Sequence, residues 1–362
     1  MHIEPQMRSS NPVNSKPSPA AGSLRPAAVI VGLIATLVAS VVAATAIGVV
    51  SLPYGETARI LAHHLFGIAY EGSAAHDAII WSVRFPRVVA AGLVGLALGL
   101  SGAVMQGLFR NPMASPGIVG VSSGASVGAV IAIFLGWQSA NPWSVPVSAF
   151  IGALIALMII FVLATHGGRT DTATLLLAGL ALSALFDGAI SLLYHFVDDG
   201  VVRQIVYWLM GNLGGKRWEH VGLMTPFILI GSLALWAHSR DLNIMLAGDD
   251  EARSLGVPVE RIKRRMLILI ALVTGAATSV AGMIGFVGLI VPHMLRYLTG
   301  PDHRWLLPAS GLGGAILLIL ADLIARTAFS PIEIRPGIVT AFLGVPFFLY
   351  LLVKRRELVR WT

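Results

Sequence analysis

Long apolar runs alternate with short polar breaks along the whole chain. Ala27–Gly55 holds 29 residues without a charge, and Met266–Leu295 holds 30. Each exceeds the roughly 20 residues a helix needs to cross about 30 Å of hydrocarbon. Further apolar runs lie at Val88–Leu108, Gly117–Gly136, Val145–Thr165, Thr172–Val197, Val221–Ala237, Leu306–Ala325 and Gly337–Val353. The pattern predicts an all-α fold, a polytopic bundle of transmembrane helices spanning residues 27–362. Met1–Pro26 is rich in Pro, Ser and Asn and reads as a disordered cytoplasmic tail. Ala44-Thr45-Ala46 fits the small-residue rule for signal-peptide cleavage. The apolar run continues past it, so this segment is expected to stay as a span.

The 30-residue run is long for one helix. It carries Gly282, Gly285, Gly288 and Pro292, which can divide it into two helices near Gly285. Loop charges decide between the two readings. With the run divided and the N-terminus inside, 17 of the 25 bases lie on the cytoplasmic side. They fall in the tail, at Arg110 and Arg169, in Arg240–Arg265, at Arg296 and Arg304, and at the C-terminus. With the run undivided the two sides hold 13 and 12. The positive-inside rule therefore predicts ten spans with both termini cytoplasmic.

Composition agrees. Apolar residues make up 56% of the chain and charged residues 12%, about half the roughly 25% of a soluble globular protein. The net charge of +7 would suggest nucleic acid in a soluble protein. Here the bases sit in loops between spans, so they orient the chain in lipid and no nucleic-acid partner is expected. There is no cysteine, which excludes disulfides, thiol catalysis and cysteine-ligated metals.

Outside the spans, the loop Ser51–Val83 carries Arg59, His63, His64 and His76. These histidines lack supporting carboxylate spacing and read as solvated, so no metal site is expected. The longest inner loop, Ser239–Arg265, centres on Gly248–Gly256. Its acids precede its base, which suits a short helix closed by Gly256. Val201–Leu213 reads as an interfacial helix with Tyr207 and Trp208 at headgroup level.

Small residues recur at Gly92, Gly95, Gly99 and Gly102, and again at Gly120, Gly124 and Gly128. They allow close helix approach. Gly120–Gly124 also matches G-x-S-x-G, but within a membrane helix and without an acid and histidine partner set. No catalytic residue is assigned. Gly211–Arg217 only superficially resembles a P-loop, because Met210 and Arg217 stand where Gly and Ser or Thr belong. ATP, if used, must bind another chain. Charges inside spans are candidates for function. Asp187 could line a polar pathway or be protonated and hydrogen-bonded in the bundle. Asp322 and Arg326 are spaced i, i+4 for pairing.

Arg84–Arg87, Gly102–Gly117, Gly120–Ala125, Trp208–Gly211, Gly248 to Gly256, Gly285–His293, Arg296 and Thr340–Phe347 follow one another in an order that resembles the FecCD-type permease family. Its members are the membrane subunits of ABC importers for ferric siderophores, haem and cobalamin. The resemblance runs from about residue 50 to 355. It implies a homodimer in the bacterial inner membrane, with two ATP-binding cassette subunits and a periplasmic substrate-binding protein. ATP and Mg would reside on the ATPase, with no cofactor in this chain. Substrate would pass between the two copies, lined by the fifth and tenth spans. Gly248, Ala252, Leu255 and Gly256 match the coupling helix. Asn111 and the Thr165–Asp171 loop, with Thr165 and Arg169, match the cytoplasmic gate. Arg59 and Arg326 match arginines that pair with the binding protein.

Two positions depart from the family pattern. Glu333-Ile334-Arg335-Pro336-Gly337 replaces Glu, aliphatic, Pro, aliphatic, Gly, so Arg335 is added at the outer mouth. It is expected to attract an anionic cargo such as haem propionates, or the binding protein. Asp187 stands where a small or neutral residue is usual. The expected function is an ABC importer permease for haem, with ferric siderophore and then cobalamin as alternatives. The rival from another class is an ion-coupled secondary transporter relaying through Asp187, Asp322 and Arg326.

Overall fold

In hydrocarbon a backbone amide has no water to bond, so runs this apolar satisfy their amides inside helices. The computed structural model describes residues 26–359 apart from 49, 51, 118 and 119. Helix α1 (Pro26–Ala46) precedes α2 (Tyr54–Phe66). Helix α3 (Ala74–Ala78) passes through one π-type turn into α4 (Phe85–Leu108). Helices α5 (Val121–Phe134), α6 (Trp137–Ala140) and α7 (Ser144–Ala164) follow. A small antiparallel hairpin, β1 (Thr165–His166) against β2 (Arg169–Thr170), departs from the all-α expectation. Then come α8 (Thr172–Leu193), α9 (Asp199–Leu209), α10 (Trp218–Ala237), α11 (Ser239–Met245) and α12 (Asp249–Ser254). The chain closes with α13 (Val259–Ala281), α14 (Val287–Thr299), α15 (His303–Thr327) and α16 (Pro336–Val359).

Among the described residues, seven helical stretches are long and apolar enough to span a membrane: α1, α3 with α4, α7, α8, α10, α13 and α15. Helix α5 and residues 336–350 of α16 are shorter apolar helices. The tail expected to be disordered lies outside the described residues, except Pro26, which opens α1.

The 30-residue run does divide. Gly282 leaves α13 at φ +72 and donates its N–H to Thr278 O at 2.8 Å. Phe286, at φ +66, starts α14. Pro292 stays within α14. A side chain at Gly282 would overlap the Trp208 carbonyl, so only glycine lets this break pack against the end of α9.

The small residues seat helices backbone to backbone. Gly95 faces the Gly314 carbonyl and Gly99 the Ser310 carbonyl, joining α4 to α15. Gly124 meets Gly152, and Gly128 meets Ser148, joining α5 to α7. Helices α4 and α13 are largely buried, whereas α1 and α8 bury few of their residues. Gly120, at φ +74, delays the start of α5 beyond the Gly117 expected.

The segment read as the polar loop 51–83 is, over its described residues 52–83, a helical cap. Helix α2 buries Thr57, Ile60 and Leu61, and Leu52, Ile80 and Phe85 complete that small core. Its histidines are not all solvated. His64 Nε2 lies 2.7 Å from Asp77, and His76 Nδ1 lies 2.9 Å from Glu56. The carboxylates come from other turns of the cap, which sequence spacing does not reveal.

The bundle has two different ends. One gathers the cap, the start of α4, α9 and the start of α16. The other gathers the end of α4, the hairpin, α11, α12 and the starts of α13 and α15.

Candidate functional site

At the second end, six-residue α12 stands between Gly248 (φ +137) and Gly256 (φ +84). Both conformations favour glycine, and Gly256 closes the helix with its N–H 2.9 Å from Arg253 O. Ala252 is fully buried, while Leu255 is 70% exposed. The short helix is thus held by its smallest side chain and projects its largest apolar one.

Ion pairs lash α12 to its surroundings. The Asp249 carboxylate is shared between Lys263 on α13 and Arg110, 3.7 Å away at the end of α4. Arg253 joins Asp250 at 2.7 Å and Glu260 at 2.9 Å. Glu260 accepts the Thr170 N–H at 2.9 Å, and Lys263 donates to the Thr170 carbonyl at 3.4 Å. The first turn of α13 therefore connects α12 with the hairpin. Within the hairpin the Thr165 and Thr170 hydroxyls are 3.1 Å apart, and Arg169 is exposed. Asp171 caps α8; the Thr174 hydroxyl at 2.6 Å, then its N–H at 2.7 Å, hold that carboxyl below its usual range. Asn111 follows Arg110, whose φ is +47, and accepts the Met113 N–H at 2.9 Å.

Gly248, Ala252, Leu255, Gly256, Asn111, Thr165 and Arg169 thus share one end of the bundle. The residues that tie them, Arg110, Asp249, Glu260 and Lys263, were missed from the sequence. Their only local signal was the Asp249–Arg253 and Glu260–Lys263 spacing, each about one helical turn.

The other predicted residues scatter. At the first end Arg335 donates to Asn212 Oδ1 at 2.9 Å, and its guanidinium lies 4.5 Å from the centre of the Tyr207 ring. Asp322 pairs with Arg326 as its spacing predicts, and gains a closer partner from another helix. Arg326 approaches only to 3.7 Å, whereas Arg87 on α4 grips Asp322 with Nε at 3.0 and 3.2 Å and Nη2 at 2.9 Å. A guanidinium arriving from the facing helix presents its fork to the carboxylate, which a side chain on the same helix does less well. Arg87 also reaches Glu333 at 3.0 Å. Arg326, expected on the docking rim, is buried and donates to the Ala44 carbonyl. Arg84 does likewise to Thr45 at 3.2 Å and Ala46 at 2.8 Å. Arg59 is exposed on α2. Asp187 is exposed on α8, and its carbonyl accepts the Ser191 hydroxyl at 2.8 Å.

Residues 34–354 match the FecCD transport family. The chain belongs to that family. This FecCD protein is 51% identical over 279 residues to the cobalamin import system permease protein of Halobacterium salinarum, covering 76% of this chain and 74% of the relative. It is 45% identical to the hemin transport system permease protein of Yersinia pestis, covering 77% and 84%. Its backbone matches a solved metal-chelate type ABC transporter in an inward-facing conformation, with a TM-score of 0.80 and 32% identity over 91% of this chain and 99% of the other.

One more residue of the FecCD chain marks the first end. Burial pushes the Lys216 amine, beside Gly215, from about 10.5 down to about 8. Between those values the unfolded chain binds more protons, so stability rises as pH increases across that interval. The thermal midpoint of the wild type is expected to rise from about pH 8 to about pH 10 relative to Lys216→Met. A difference between the two that stays constant with pH overturns this.

Proposed function

We propose that the chain is the permease subunit of an ATP-driven importer that carries an iron chelate, haem foremost, from periplasm to cytoplasm. The assembly is a homodimer in the inner membrane, with two ATPase subunits and a periplasmic binding protein. Ten spans place both termini in the cytoplasm: α14 is the eighth span and α16 the tenth, and the end bearing α12 faces inward.

The observation that carries this reading is α12 itself, a short helix exposing Leu255 and lashed by ion pairs to two neighbouring turns. A groove on an ATPase that takes Leu255 gains a rigid lever. When the ATPases close, displacement of α12 pulls Arg110, beside Asn111, through Asp249. It also pulls the hairpin through Glu260 and Lys263. Both gate segments then move together. Arg59 serves the binding protein, its charge steering an acidic partner. Asp187, on the open face of α8, lines the pathway between the two copies.

Haem is favoured by the arginine added at the outer end. Arg335, held by Asn212 and Tyr207, suits a carboxylate, which haem carries twice. Cobalamin is the second reading, supported by the 51% identity to a cobalamin permease. An ion-driven relay fits less well, because Asp322 and Arg326 are locked in a buried network while Asp187 lies on another helix.

Proteoliposomes holding the full complex decide. ATP-dependent uptake of hemin is expected to exceed that of cyanocobalamin, and Arg335→Ala should lower hemin uptake about fivefold, the loss of roughly 1 kcal/mol. Uptake of cyanocobalamin alone overturns haem as the cargo. Uptake driven by a proton gradient without ATP overturns the importer reading itself.

A further inference from the structure

The outer face of α2 carries a set of side chains of which the transport mechanism above uses only Arg59. Arg59, His63 and Phe66 are spaced i, i+4, i+7, opposite the buried Thr57, Ile60 and Leu61. Phe66 is 78% exposed, and Leu65 and Ile68 beside it are 53% and 57% exposed. So much bare apolar surface next to a cation calls for a partner.

The three histidines of the cap differ in what they can do. His64 is bonded to Asp77 and stacked on Trp81, with ring centroids 4.1 Å apart. His76 is bonded to Glu56, whose carboxyl is held below its usual range by that ring first and the Tyr70 hydroxyl second. His63 has its Nδ1 2.7 Å from the Ile68 carbonyl. A carbonyl oxygen only accepts, so Nδ1 carries the hydrogen, and in the neutral ring Nε2 holds a lone pair. Among the described residues, no hydrogen-bond partner meets that Nε2. A backbone carbonyl on one imidazole nitrogen fixes ring and tautomer for metal ligation through the other. The geometry is that of a metal ligand, but a single one, since the described residues contain no group of three that could hold a bare ion. The metal must therefore arrive with its own equatorial ligands.

We infer that the exposed face of α2 binds an iron porphyrin, with His63 Nε2 as axial ligand to the iron, Arg59 paired with a propionate, and Leu65, Phe66 and Ile68 against the ring. The inference rests on the haem reading of the cargo. On binding, the Nε2 lone pair forms a bond to ferric iron and a water or the previous protein ligand leaves; no electron is transferred. A single half-buried histidine, its ring 5.0 Å from that of His64, makes a weak, exchangeable site. Such a site suits a receiving step ahead of the pathway.

Hemin titrated into the full complex in nanodiscs is expected to give the absorption and spin-resonance signature of histidine-ligated ferric haem. His63→Ala should raise the hemin Kd about tenfold. Metal-free protoporphyrin should bind both forms within about twofold, because it offers no iron to ligate. His63→Gly with added imidazole should restore the signature, which a merely structural role would not. Equal hemin affinity and spectra in wild type and His63→Ala overturn the assignment. ATP-driven hemin uptake by the wild type is scored separately. Uptake alongside unchanged His63→Ala spectra sinks the ligand and spares the cargo. Ligation lost in His63→Ala, in a complex that moves only cyanocobalamin, sinks the cargo and spares the ligand.

Discussion

Leu255→Asp is expected to abolish ATP-driven transport in a permease that still folds. The side chain is 70% exposed and contributes little to the bundle, whereas its neighbour Ala252 is fully buried and stays in place. Moving an unpaired carboxylate into an apolar groove costs several kcal/mol. Each 1.4 kcal/mol is about tenfold in affinity, so the ATPases should be held at least about 100-fold more weakly. The permease should retain its thermal midpoint, and ATPase subunits should no longer copurify with it. Wild-type uptake by this variant would remove α12 as the point of attachment.

Gly102→Val is expected to have the opposite character, destroying the fold before function can be assayed. A Cβ at position 102 would overlap the carbonyl, carbonyl carbon and Cα of Gly288, all backbone. No rotamer relieves that contact, because the obstacle is the first turn of α14 rather than a flexible side chain. Overpacking typically costs about 1–3 kcal/mol, and a clash with backbone belongs at or above the top of that range. Gly222→Ala on α10 is the control, since nothing lies within 4 Å of a Cβ there. Size-exclusion profiles and melting in detergent should separate the two. Equal midpoints would mean that α4 and α14 are less closely packed than described.

What could be read in the sequence was what repeats or accumulates locally. The division of Met266–Leu295 followed from counting bases on either side, because the membrane sorts charge loop by loop. The glycine spacing on α4 and α5 gave close helix contacts, and Gly256 gave the end of α12, since each rule acts within a few turns. What could not be read depends on residues far apart. Asp322 does pair with Arg326 four residues away, but its closer partner, Arg87, lies 235 positions distant. Glu56 and His76 lie 20 apart and His64 and Asp77 lie 13 apart, so no local spacing announced the cap. The site was half legible for the same reason. The residues of α12 stood in one run, while the Arg110–Asp249 tie that joins them to the α4 turn exists only after folding.

The three carbonyls at the end of α1 have a consequence for assembly. Thr45 and Ala46 receive their hydrogen bonds from Arg84, and Ala44 receives its bond from Arg326, 282 residues further along. Synthesis delivers α1 before any other described helix, yet its last lock arrives with α15. Until then the Ala44 carbonyl lacks the arginine that meets it in the folded chain. A helix made early is therefore fastened in two stages, once by the turn that enters α4 and again by α15, and the order of synthesis is not the order of completion.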